Sequence, residues 1–140
     1  MVWVVDRSFP FTPRSMRELE RGDVIGVHCE PDGWVCLQVV DLARSGPGSR
    51  TTFVVGVLPW SSTQSPPTPA AVAGLDATDQ GLTRVELFTK GQAQVFGNLP
   101  VKDVGRPSNL RDFEVAMTHR VWGWRTAIRK AQAAAAGGLS

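Results

Sequence analysis

Tyrosine is absent from this 140-residue chain, and only two cysteines and two histidines occur in it. Two cysteines cannot build a disulfide framework and are too few for a structural zinc site. No stretch approaches the ~20 consecutive apolar residues that a membrane-spanning helix needs. A strong charge of one sign is also missing. Fifteen Lys and Arg against thirteen Asp and Glu leave a net +2, too little for the electrostatic footprint of a nucleic-acid binder. The apolar start, Met1 to Val5, runs straight into Asp6 and Arg7. It lacks the basic lead, the longer apolar run and the small-residue cleavage site of a signal peptide. The expectation is a cytoplasmic protein with no membrane segment, no metal and no cofactor.

What is present is an ordinary globular composition, 42% hydrophobic and 20% charged, which excludes wholesale disorder. The length suits one domain over residues 1–140, with a core large enough to need no staples. Charge is uneven along it. Residues 101–140 hold seven basic and three acidic side chains, a modest basic patch in the C-terminal third.

The clearest local signal is the hairpin over residues 23–41, where two β-rich runs flank Glu30-Pro31-Asp32-Gly33. Proline stands where a type I turn takes it, and glycine where φ must be positive. A three-residue loop over 31–33 pairs Glu30 with Trp34, Cys29 with Val35 and His28 with Cys36. One face then carries Ile25, Val27, Cys29, Val35, Leu37 and Val39, all apolar. The other carries Val24, Gly26, His28, Glu30, Trp34, Cys36, Gln38 and Val40, which is mixed. A two-residue loop muddles both faces, so the three-residue loop is favoured. In that register the two cysteines point to opposite faces and do not bond.

A Gly/Ser-rich loop follows at 43–50, then a strand at 51–58 whose continuous apolar, β-branched run suits burial on both faces. Residues 61–69, SSTQSPPTP, form a Pro/Ser-rich internal loop. The sequence allows a short helix over 70–75, predicts a strand over 84–90 and a further short one from Gln94, and leaves 98–110 mostly as loop. One or two strands are expected within 113–124. Helix propensity is strong over 125–136 and ends at Gly137-Gly138. Ile128 is its only large apolar residue, so little burial is expected of it, and residues 137–140 read as a flexible tail. The fold class is mainly β (α+β): a twisted antiparallel sheet or small, partly open barrel with one or two peripheral helices.

No motif carries catalysis. His28 and Cys36, opposite each other in the expected register, are the only thiol–imidazole pair available, and nothing supplies an orienting third group or an oxyanion site. His28, Cys29 and Asp23 cannot share a metal ion, because neighbouring strand residues face opposite ways. The acidic residues Asp6, Glu18, Glu20 and Asp23 are interleaved with arginines, as on a solvated, ion-paired surface. The five tryptophans stand out instead, since Trp and Arg are the side chains most enriched in binding hot spots. Two places combine them with expected exposure: the mixed hairpin face with Trp34 and Glu30, and Arg120, Trp122, Trp124 and Arg125 within the basic third. The second is favoured, because its charge can steer an acidic partner.

The order of features also resembles a known family. Gly22-Asp23-Val24-Ile25-Gly26-Val27 before a turn, then Gly33-Trp34-Val35-Cys36-Leu37-Gln38-Val39-Val40, is similar to the opening hairpin of the bacterial immunity proteins catalogued as number twenty-six. Val95-Phe96-Gly97-Asn98-Leu99-Pro100, followed by Pro107 and Phe113, resembles that family's second landmark, with Gln94 where a Trp is usual. The resemblance implies a non-enzymatic antidote that binds and neutralises a cognate protein toxin. It brings no catalytic residues to transfer. The alternative is a β-barrel interaction module that binds nucleic acid or another protein through the basic, Trp-containing C-terminal surface.

Overall fold

The computed structural model describes residues 8–29, 33–42, 52–101 and 121–137. Five strands form one open antiparallel sheet in the order β4-β3-β2-β1-β5. They are β1 (Asp23–Cys29), β2 (Gly33–Leu42), β3 (Thr52–Ser62), β4 (Asp79–Arg84) and β5 (Gln94–Asn98). Among the described residues three α-helices accompany them: α1 (Pro69–Val72), α2 (Glu86–Thr89) and α3 (Trp124–Gly137), with a 3-10 turn at Met16–Glu18. The mainly β class is as expected, and the sheet is the open one of the two alternatives.

Both hairpin faces match the sequence expectation. Ile25, Val27, Cys29, Val35, Leu37 and Val39 join Phe53, Val55 and Val57 in the larger core cluster. Val24 and Cys36 lie in a second cluster with Leu58 and Val72 on the opposite side. Both cysteines are free and buried. The register, however, differs by two residues: Cys29 pairs with Gly33, His28 with Trp34 and Gly26 with Cys36. His28 and Cys36 are therefore not opposite each other. Strand side chains alternate with period two, so a slip of two returns every residue to its own face. The facial test could exclude odd slips only. Gly33 does take positive φ, +97°.

Two further expectations fail for physical reasons. Residues 84–90 are not a strand: the strand ends at Arg84, and Glu86–Thr89 is one helical turn. Its neighbours Leu87 and Phe88 are both buried, which a helical turn permits and strand alternation does not. Phe88 stacks on Phe53 with centroids 5.8 Å apart. The helix over 124–137 also buries more than Ile128. Ala127, Ala131 and Ala135, spaced by four, are all in the core. Methyl side chains let the helix backbone lie close to the sheet, where it packs chiefly on β3.

The third strand outruns its expected end, continuing through Pro59 and Trp60 to Ser62. From there the chain crosses the other sheet face as a strap. Pro67 is buried against β1, and a Cβ on Gly26 would lie 2.7 Å from its ring. Pro69 packs on Gly97 of β5. Thr68 caps α1 by accepting from the Ala71 N–H at 3.2 Å, and Val72 enters the second cluster. The stretch that resembles a linker in composition thus closes one side of the sheet.

Candidate functional site

The strap face carries most of the polar and aromatic residues of the first hairpin. Trp34 is half-buried between His28, at 5.1 Å between centroids, and Phe96, at 5.5 Å, both edge-on. His28 is exposed. Edge-to-face packing of this kind fixes the ring positions. Cys36 is buried deeper on the same face, and that burial raises its pKa, so the thiol stays neutral. A neutral, enclosed thiol with no imidazole across from it is a poor nucleophile.

At the other end of β1 a polar knot joins the two stretches that carry the family resemblance. Asp23 is fully buried. Its Oδ2 accepts from the Glu20 N–H at 2.8 Å, and its Oδ1 from Asn98 Nδ2 at 3.0 Å. The Asn98 amide also donates to the Arg21 carbonyl at 3.0 Å. Gln38 Nε2 donates to the carbonyls of Leu99 at 3.0 Å and Gly22 at 3.3 Å. The Gly-Asp strand start and the Gly-Asn-Leu step are thus direct neighbours, and their polar groups serve each other. A shallow cleft of about 120 Å³ lies beside the knot, lined by Gln38, Val72, Leu75, Gln80 and Leu99 among others. Among the described residues no three His, Cys, Asp or Glu side chains gather as a metal site.

The second candidate region is the start of α3. The sequence reading places Trp122 and Trp124 on one face of an extended segment, and the structure separates them. Trp122, 4% exposed, lies over Gly81 of β4, where any Cβ would strike its ring. The Trp122 backbone N–H donates to the Leu82 carbonyl at 2.6 Å. It therefore closes the core and is not an exposed side chain. Trp124 opens the helix, half-buried against the core cluster and close to Gly91. The Arg125 guanidinium stacks over the Trp124 ring at 5.0 Å. One turn further on, Lys130 Nζ sits 5.7 Å from the Trp122 centroid and 3.6 Å from Asp79 Oδ2. That pair fastens the helix to β4.

Of the six binding residues expected from sequence, Trp124 and Arg125 are brought together on the surface, and Trp34 sits on the opposite side of the sheet. Glu30 and Arg120 lie outside the described residues. Phe96, the partner of Trp34, carried no local signal, because its contact spans 62 positions in sequence. Arg129 was legible in principle, lying four residues beyond Arg125 in the expected helix. Among the described residues no helix is long and apolar enough to cross a membrane. Comparison with protein-family models, curated proteins and solved structures finds no match.

Proposed function

We propose that this chain is a non-enzymatic cytoplasmic antidote that binds and neutralises a cognate bacterial toxin. The observation that carries the reading is the anchor at the start of α3. Trp124 is rooted in the core and Arg125 is already stacked on it at 5.0 Å. Arg and Trp dominate binding hot spots, and side chains held in place before contact lose less freedom on association. The two sequence landmarks supply the toxin-directed part of the proposal. The buried, neutral setting of Cys36, with Gly26 and not His28 opposite it, favours binding over chemistry.

Co-expression with candidate toxin domains, beginning with any encoded beside this gene, tests the reading. The chain is expected to restore growth and to co-purify with the toxin in fixed stoichiometry. Absence of both protection and complex contradicts it. Protection at amounts far below the toxin's contradicts the non-enzymatic half, since a binder neutralises one molecule at a time. A complex formed with an oligonucleotide in place of the toxin favours the general interaction module instead.

A further inference from the structure

Arg125 is badly placed for the helix that carries it. Aligned peptide dipoles put positive partial charge at a helix N-terminus, where carboxylates stabilise and cations destabilise. The sequence of α3, WRTAIRKAQAAAAG, holds three cations in its first seven residues, no acidic residue in its first turn and no basic one in its last. Arg125 and Arg129 are one turn apart, a spacing at which like charges repel. Lys130 is relieved by Asp79. Arg125 has only the Trp124 ring, and Arg129 has no ion-pair partner among the described residues. Both are exposed. Lys90, next to the Gly91 that Trp124 approaches, is exposed as well.

An arrangement unfavourable to the free protein is compensated when a partner brings the missing negative charge. We propose that the exposed ridge Arg125–Arg129, with the Trp124 ring at its foot, is the docking surface for an acidic patch on the partner protein. This rests on the toxin-binding reading above and adds to it the sign of the toxin's contact surface and a new contact residue, Arg129. Carboxylates on the partner take the guanidiniums in two-pronged hydrogen bonds. The ridge also draws the partner in before contact, so its removal shows first in the association rate. Binding then depends on these two positions while stability does not, a signature that a merely structural role does not give.

The test compares the full chain with the double variants Arg125→Glu/Arg129→Glu and Arg125→Lys/Arg129→Lys. Binding to the toxin domain that the chain neutralises in the co-expression test is followed by stopped flow at low and high salt. The Glu pair is expected to melt close to the parent, because the dipole favours a carboxylate at position 125 while the like-charge spacing of 125 and 129 is unchanged. It is also expected to lose affinity by about 30-fold or more, mostly in association rate, with a flattened salt dependence. The Lys pair keeps fast, salt-sensitive association and dissociates sooner. If the Glu pair binds the toxin like the parent, the docking surface lies elsewhere and the antidote reading survives. If the parent itself does not bind the toxin, that reading falls and the ridge proposal with it. If the Glu pair melts lower and the Lys pair associates as slowly as it does, the arginines act through the fold and the proposal is overturned. Binding of a poly-dT oligonucleotide that competes with the toxin and is lost in the Glu pair also overturns it, by assigning the ridge to nucleic acid.

Discussion

The two faces of the sheet are closed by different means. Under α3 the fit comes from small side chains: alanines at every fourth position, Gly81 beneath Trp122, and a dense apolar cluster. Under the strap it comes from rigid ring systems and polar pairing: Pro67 on Gly26, the His28–Trp34–Phe96 cluster, and the knot around Asp23. The first face can tolerate little change of volume, since close-packed interiors respond to a single methyl group. The second depends on satisfied hydrogen bonds, whose loss costs more than their formation gains. The surface that each face presents differs accordingly. The strap face shows the packed rings of Trp34 and Phe96. The helix shows Arg125 held over Trp124, with Arg129 exposed one turn on.

Substitutions can break that comparison in order of severity. Trp122→Ala is expected to cost about 3–5 kcal/mol, because it empties the space over Gly81 and frees the start of α3. Trp34→Ala, removing a half-buried ring with two edge contacts, is expected to cost about 1–2 kcal/mol. Chemical denaturation measures both, and equal costs would mean that the two tryptophans serve the fold alike. Asp23→Ala falls between the two, at about 2–3 kcal/mol, since it takes the carboxylate from the Glu20 N–H and one of two acceptors from the Asn98 amide. A loss below about 0.5 kcal/mol would show that water enters the knot and satisfies them. The smallest effect has the opposite sign. Thr83 sits fully buried under α3, its hydroxyl without a hydrogen-bond partner among the described residues. Thr83→Val keeps the shape and removes the orphan oxygen, so it is expected to stabilise by up to about 1 kcal/mol. A destabilised Thr83→Val would reveal a bonded hydroxyl.

How far the sequence carried the fold depends on the range of the interaction. The hairpin faces were legible because alternation is local and Ile25, Val27, Val35, Leu37 and Val39 all agree. The exact pairing was not, since registers two residues apart present identical faces. Strand β4 was missed because Asp79–Arg84 has one large apolar residue, Leu82; it is a strand by pairing with β3. The adjacent 84–90 looked more strand-like and became a helical turn once Leu87 and Phe88 had to enter the same core. Helix α3 was found by propensity, but its burial was underestimated. Alanine carries little apolar area, and its value here is the close approach it permits. Of the candidate binding surface, the Trp124–Arg125 pair was visible as composition. The split between a core Trp122 and a surface Trp124 required Gly81, some forty positions away in sequence.

The most direct measurement sets the two surfaces against each other in one titration series with the toxin domain. Calorimetry is run on the parent, on Trp34→Ala and on Arg125→Glu/Arg129→Glu, each first checked by thermal melting. The account predicts that Trp34→Ala binds within about threefold of the parent and that the arginine pair loses about 30-fold or more, while melting no lower. The reverse pattern, with affinity lost at Trp34 and kept at the ridge, would contradict it and place the contact on the strap face.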